Sequence, residues 1–438
     1  MYIHIPSPYG PLARAYMARK SPLAVKIPTV SAQKSQVLAI IGQGYVGLPL
    51  AMAAVDAGWT VIGIDNLEAK VAQINSGSSP IEDISDAHLK AAIAKGAYKA
   101  TTDFSTVTGV SVITICVPTP LNGKREPDIA LLRSAATGIA PFVSNETLVV
   151  SESTSYPGTL RDVIIPLVNS LKSADASKIF YASAPERVNP GDPVWDQKNT
   201  PRLYSGLTLE ASKKTCDFYS TFCDNLVEVS SPEVAEAAKL FENTFRQVNI
   251  ALVNEFAQIT HALGISVYET LNAADTKPYG FLKFKPSLGV GGHCIPIDPI
   301  YLADTASKLG IETKFINLAN ETNLEMPNYI VSRIESDLGK TLKNKTILIL
   351  GVAYKPNVAD TRETPSKLLI NELRKRGADV YWHDPLVELW NGEVSSNLQE
   401  VDAIVIAQMH DQFLKVKLET YSEYIFDCTG TYATPNSL

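Results

Sequence analysis

The hexapeptide Gly42-Gln43-Gly44-Tyr45-Val46-Gly47 follows the apolar run Val37-Leu38-Ala39-Ile40-Ile41, and Asp65 closes a second run, Thr60–Ile64, 18 residues beyond Gly47. This constrains the fold more tightly than any other feature. A buried strand, a glycine turn, a helix from Val46 to about Gly58 and a second strand ending in Asp make a βαβ unit of a parallel sheet. The glycines allow a tight turn and close approach of a pyrophosphate, and the helix N-terminus favours that anion. Asp65 can bind a ribose diol and would repel a 2'-phosphate, which points to NAD rather than NADP. Gly42, Gly44, Tyr45, Val46, Gly47 and Asp65 are therefore candidate cofactor residues.

Further strand candidates at Val110–Val117, Thr147–Ser151 and Ile179–Ser183 alternate with helical stretches, as a doubly wound sheet requires. From Pro232 the pattern changes. Glu233 to about Leu263 contains neither Pro nor Gly, and Ala235, Ala238, Phe241, Phe245, Val248 and Leu252 recur at three- and four-residue spacing. Such a helix connects domains, packs on a partner subunit, or forms an internal core; the sequence leaves these open. Near Lys343 an echo of the first region begins: Lys345–Gly351 is a strand ending in Gly, Ala378–Asp384 a strand ending in Asp, and Val401–Ile406 parallels Val110–Val117. The echo lacks a full glycine fingerprint, so its ligand should differ. The expected class is α/β, with two Rossmann-like doubly wound domains joined by a long central helix and a helical domain.

At 438 residues the chain is too long for one core. A content of 45% apolar and 19% charged residues is ordinary for a globular protein, and a net charge of -7 argues against a general nucleic-acid binder. The five cysteines are odd in number, irregularly spaced and without a CxxC, which fits a reduced cytoplasmic chain better than a disulfide framework or a metal site. No apolar run approaches the length of a membrane span. Residues 1–35 are basic and punctuated by proline, with no apolar core for a signal peptide; they read as a variable extension.

The segment Gly289-Val290-Gly291-Gly292-His293-Cys294-Ile295-Pro296-Ile297-Asp298 places one thiol in a glycine-rich loop with a carboxylate four residues later. Glycines let backbone come close to a ligand. A thiolate there can attack a bound substrate, and the carboxylate can tune it or handle a proton. Lys239 and Asn243, at i and i+4 on the long helix, project from one face and can donate hydrogen bonds to a developing oxyanion.

Gly42–Gly47, Val117-Pro118-Thr119-Pro120, Glu152-Ser153-Thr154, Lys239–Thr244, Gly291–Cys294 and Asp360-Thr361-Arg362-Glu363 occur in the order found in the UDP-glucose/GDP-mannose dehydrogenase family, which the chain resembles over roughly residues 36–430. The segments Glu152–Thr159, Ala184–Gly191 and His293–Pro299 look most like the UDP-N-acetylglucosamine 6-dehydrogenase branch. The resemblance implies an NAD-dependent oxidation of a primary alcohol at C6 of a UDP-sugar to the acid in two hydride transfers. Cys294 would hold the aldehyde as a thiohemiacetal and then a thioester. Lys239 and Asn243 would stabilise the oxyanion, Asp298 would orient or activate water together with Thr154, and Glu186 would act as a base. Thr119 and Glu152 match NAD contacts. For the sugar nucleotide, Arg187, Tyr279, Phe284, Lys285, Ser287, Gly291, Lys355 and Arg362 are candidates, with Lys277 and Phe281 beside them. No arginine lies between Arg246 and Arg333, and Asp427-Cys428-Thr429-Gly430 stands where the family often carries an arginine. The expected division is an extension over 1–35, an NAD-binding domain over 36–230, a central helical domain with the cysteine loop over 231–330, and a UDP-sugar-binding domain over 331–438. A homodimer or higher homo-oligomer is expected, with no nucleic-acid or membrane partner. UDP-N-acetylmannosamine, UDP-glucose, or a non-catalytic NAD sensor are the alternatives.

Overall fold

The computed structural model describes residues 36–188, 194–432, 434 and 436–438. The basic extension and Asn189, Pro190 and Gly191 lie outside the described residues. The chain forms two compact units, one ending at Leu240 and the other running Phe241–Leu438.

The first unit holds β1 (Val37–Ile41), β2 (Thr60–Ile64), β3 (Tyr98–Thr101), β4 (Val112–Ile115), β5 (Leu148–Ser151), β6 (Phe180–Ser183), β7 (Arg202–Gly206) and β8 (Leu226–Glu228). They form one sheet in the order β3-β2-β1-β4-β5-β6-β7-β8. Pairing is parallel except between β6 and β7. The apolar run of β1 is explained by burial on both faces: Leu38 and Ile40 join one core, Ala39 and Ile41 the other. The order reverses between β1 and β4, the place where an open α/β sheet leaves a crevice for a ligand. Helix α1 (Gly47–Asp56) returns from that crevice to β2. Strands β3, β7 and β8 were not legible in the sequence: β3 and β8 are edge strands of four and three residues, and β7 carries Arg202, Tyr204 and Ser205 in place of an apolar run.

Helix α2 (Pro232–Leu263) is unbroken for 32 residues, and the division between the units falls within it. Ala235, Leu240, Ala251, Val253 and Ala257 are its buried apolar positions, whereas Phe241, Phe245 and Leu252 are exposed.

The second unit contains helices α3 (Asp298–Lys308) and α4 (Lys314–Asp337) and strands β9 (Thr346–Leu350), β10 (Asp379–His383), β11 (Ala403–Ile406), β12 (Ile425–Asp427) and β13 (Asn436–Ser437). The sheet order is β10-β9-β11-β12-β13, all parallel. Ile347 and Ile349 of β9 face one core and Leu348 and Leu350 the other, the same two-sided burial as in β1. The protein is thus α/β with one mostly parallel and one wholly parallel large sheet, and among the described residues no helix is long and apolar enough to cross a membrane.

Candidate active site

In the first unit the glycine turn leaves β1 at the switch point. Gly42 has φ +97°, and a Cβ there would lie 2.6 Å from the Cys116 carbonyl oxygen; a Cβ on Gly47 would lie 1.8 Å from the Gly42 oxygen. These two glycines are required by the protein's own packing. A Cβ on Gly44 would meet no atom within 4 Å. Gln43 is wholly buried: its Nε2 donates to the Ile40 oxygen at 2.9 Å, and its Oε1 accepts from the Tyr98 hydroxyl at 2.7 Å. Its backbone N–H donates to Asp65 Oδ2 at 2.9 Å, which ties the turn to the end of β2. Asp65 also accepts from Leu67 N at 3.1 Å and Lys70 Nζ at 2.8 Å. Tyr45 points away, its hydroxyl donating to Glu82 at 3.2 Å, and Val46 precedes α1 without a side-chain cap. The open side of Gly44, a helix N-terminus and a carboxylate at the next strand end fit a dinucleotide.

Thr119 and Thr154, on the loops after β4 and β5, are joined by a bond from the Thr119 hydroxyl to the Thr154 carbonyl at 2.6 Å. Glu152 turns inward. It is 1% exposed, and its oxygens accept from Arg202 Nη1 at 2.8 Å and the Tyr219 hydroxyl at 2.5 Å. Arg202 lies on β7 and stacks on the Tyr219 ring at 4.6 Å. Sequence reading missed Arg202 and Tyr219, since nothing local marks either as a partner of a residue 50 or more positions away. Glu186 donates its N–H to the Glu152 carbonyl at 3.3 Å, and its carboxylate accepts from Val188 N. Burial pushes the Glu186 carboxyl above its usual range, opposed by the charges of Lys239 and Arg202. Lys239 is buried on α2. Arg187 donates to the Pro201 carbonyl at 2.8 Å.

In the second unit Cys294 is exposed. Its carbonyl accepts from Ile297 N at 3.2 Å and Asp298 N at 2.8 Å, so the cysteine loop runs directly into α3. Asp298, the first residue of that helix, is 3% exposed and accepts from Asn243 Nδ2 at 2.5 Å. The loop glycines answer to packing. A Cβ on Gly289 would lie 2.8 Å from the Asn323 oxygen, and on Gly291 and Gly292 2.7 Å from Tyr354 atoms. Gly292 N donates to the Arg362 carbonyl at 3.0 Å. Tyr354 was not foreseen, and its side chain leaves no room for a Cβ at either glycine.

His293 has a buried Nε2 without a hydrogen-bond partner. Burial, then the Arg362 charge, lower its pKa to about 4, so the ring is neutral. Arg362 is held as a fork on Asp360 at 2.9 and 3.0 Å from Nε. Ser287 donates its hydroxyl to the Gly289 carbonyl and its N–H to Asn254 Oδ1, both at 2.8 Å. Phe284 packs edge-on against Phe245 at 5.9 Å, Lys277 sits over the exposed Tyr279 ring at 5.0 Å, and Phe281 and Lys285 are exposed. Lys355 lies in the loop after β9.

The echo of Asp65 is Asp384. Its Oδ2 accepts from Val352 N at 2.8 Å, Ala353 N at 3.1 Å and His410 Nε2 at 3.1 Å. His410 Nδ1 accepts from Asn357 N at 2.9 Å, which puts the ring proton on Nε2. This network ties the end of β10 to the turn after β9 and to His410. Asp427 likewise turns inward, with one oxygen accepting from Thr431 N and Tyr432 N at 2.8 Å, and closes the turn before β13.

The first unit's sheet, with its glycine turn at the switch point and Asp65 at the next strand end, is that of an NAD-dependent oxidoreductase. Three consecutive models of the UDP-glucose/GDP-mannose dehydrogenase family match: the NAD binding domain over residues 36–223, the central domain over 233–325 and the UDP binding domain over 348–434. The chain belongs to this family of nucleotide-sugar dehydrogenases and is an NAD-dependent UDP-sugar dehydrogenase. It is 34% identical over 397 residues to the UDP-N-acetyl-D-mannosamine dehydrogenase of Methanococcus maripaludis, covering 88% of this chain and 89% of that one. It is 32% identical over 397 residues to the UDP-N-acetyl-D-glucosamine 6-dehydrogenase of Pseudomonas aeruginosa, covering 87% and 92%. The solved structure of a UDP-D-ManNAc dehydrogenase from Pyrococcus horikoshii superposes with a TM-score of 0.82 at 31% identity, covering 92% of this chain and 97% of that one.

Proposed function

We propose that this enzyme oxidises C6 of a UDP-N-acetylhexosamine to the uronic acid. UDP-N-acetylglucosamine and UDP-N-acetylmannosamine are the two substrates to test first, because relatives bearing both names match at similar identity. The carrying observation is the exposed Cys294 thiol, whose loop opens the helix that begins with the Asn243-bound Asp298.

NAD, bound along Gly42–Gly47 with its ribose at Asp65, supplies the hydride acceptor, two per sugar. Lys239 donates a hydrogen bond to the C6 oxygen as the alcohol gives up its proton to solvent water and its hydride leaves C6. The Cys294 thiolate then adds to the aldehyde carbon, forming a C–S bond and a thiohemiacetal whose oxygen takes a proton. Loss of that proton and a second hydride leaves a thioester. Asp298, held by Asn243, takes a proton from the attacking water, with Thr154 orienting it. The C–S bond breaks, releasing carboxylate and thiol. Glu186, with its raised pKa and Lys239 nearby, is an alternative proton acceptor in hydrolysis. Tyr279, Phe284, Lys285, Lys355 and Arg362 are proposed for the UDP-sugar. The exposed Phe241 and Leu252 support a homo-oligomer, and an odd number of irregularly spaced cysteines without a CxxC supports a cytoplasmic setting.

NADH release with UDP-N-acetylglucosamine, UDP-N-acetylmannosamine, UDP-N-acetylgalactosamine and UDP-glucose tests this reading. A UDP-N-acetylhexosamine should yield two NADH per sugar in wild type, and Cys294→Ala should form no uronate. Preference for UDP-glucose would overturn the substrate assignment, and uronate formation by Cys294→Ala would overturn the covalent mechanism.

A further inference from the structure

The segment after β5 has an unusual start. Thr154–Thr159 leads into a π-helical turn, Leu160–Ile164, continued by the helix Ile165–Leu171. The first amides of a helix have no partners within it and are normally met by a Ser, Thr, Asp or Asn side chain at its own N-cap. Here Thr159 occupies that position and makes no such bond. The acceptor comes from α2 instead. Glu236 Oε2 accepts from Gly158 N at 2.7 Å and Oε1 from Leu160 N at 3.3 Å. One turn earlier, Glu233 Oε1 accepts from Arg161 Nε at 2.8 Å. Glu233, Glu236 and Lys239 follow one another at three-residue steps, so one side of the helix grips the segment twice and then presents Lys239.

We propose that Glu236 is a positioning residue: it locks α2 to the Thr154–Leu160 segment and thereby sets the position of Lys239. Glu236 does not itself meet the substrate. The other end of the segment is tied separately, the Thr154 carbonyl accepting from the Thr119 hydroxyl at 2.6 Å. A purely structural cap here could be neutral. Yet Glu236 is 3% exposed, and a charge so buried is costly to maintain. Its pKa is raised to about 7, first by burial and then by Glu233 and Asp162, while the amides of Gly158 and Leu160 pull it down; Arg161 is paired with Glu233. The carboxylate accepts both amides only when ionised, so the grip is full above pH 7 and weakens as pH falls through it.

The inference rests on Lys239 acting in the reaction, so Lys239→Ala is measured alongside: full activity in that variant removes the role of Lys239 without touching the Glu236 contacts. Glu236→Gln keeps one acceptor and sets an NH2 against the other amide. With NAD and the UDP-sugar that wild type turns over, its kcat should fall about tenfold. KM for NAD should stay within about twofold, since the glycine turn is untouched. The acidic limb of kcat near pH 7 should disappear, while Tm at pH 8 is not lowered. Glu236→Asp, which keeps the charge, should keep the limb. Wild-type kcat with the limb intact in Glu236→Gln would overturn the proposal. So would losses of kcat in both variants that follow lowered Tm values. If Glu236→Gln does not fold, Glu236→Asp decides: a retained limb supports the proposal and its absence overturns it.

Discussion

Replacing Gly44 by Ala separates what the glycine turn does for the fold from what it does for the cofactor. A Cβ at Gly47 would overlap the Gly42 oxygen at 1.8 Å, and one at Gly42 would stand 2.6 Å from the Cys116 oxygen at a φ of +97°. Either substitution should damage the turn itself. At Gly44 the same Cβ enters space with no protein atom within 4 Å, so the folded chain accepts it. Removing a glycine also restricts the unfolded chain, an effect of about 0.4–1 kcal/mol in favour of folding where the backbone fits. Stability should therefore be unchanged or slightly higher. The open space is where the pyrophosphate is proposed to lie. A methyl group there would push the phosphates off the turn and helix N-terminus, and losing two amide–phosphate bonds at roughly 1.5 kcal/mol each makes about 3 kcal/mol. That corresponds to a rise in the Kd for NAD on the order of 100-fold. Calorimetric titration with NAD, paired with thermal melts, measures both quantities. An unchanged Kd with an intact melt would show that the pyrophosphate does not lie over Gly44.

Other groups make comparably direct predictions. Arg202→Met strands the Glu152 carboxylate in the first unit's core, and breaking such a buried pair should cost about 3–5 kcal/mol; a denaturant midpoint close to wild type would mean that Glu152 finds another partner. Asn243→Ala removes the 2.5 Å donor from Asp298, and loss of a bond to a charge, about 1–3 kcal/mol, should lower kcat roughly ten- to a hundredfold. Turnover close to wild type would dissociate Asn243 from the chemistry. Glu236, with a folded pKa of about 7 against an ordinary 4.5, binds its proton more tightly in the native state, so its contribution to stability is greatest at low pH and declines as pH rises from 4.5 to 7. The difference in unfolding free energy between wild type and Glu236→Gln should drift against wild type over that window; a constant difference would place the pKa elsewhere.

The elements that carry these sites were legible because their signals are local. Strands β1 and β9 are buried on both faces, so the side chains of Leu38–Ile41 and Ile347–Leu350 are all apolar and the runs are visible without a partner. The glycine turn needs a particular backbone at fixed offsets, and the long helix shows itself by its uninterrupted composition. The order of motifs along the chain was enough to place it among UDP-sugar dehydrogenases.

What the sequence by itself determined was which residues are chemically capable: a thiol, a lysine, several carboxylates and a cofactor turn. Tertiary structure decided how those residues are partnered. It paired Glu152 with Arg202 and Tyr219, gave the Asn243 amide to Asp298, and set the Tyr354 side chain against Gly291 and Gly292. The reason is physical. A strand or helix is specified by bonds within a few residues, whereas a buried charge is satisfied by whichever group the packing brings near, and packing joins positions separated by 50 residues or more.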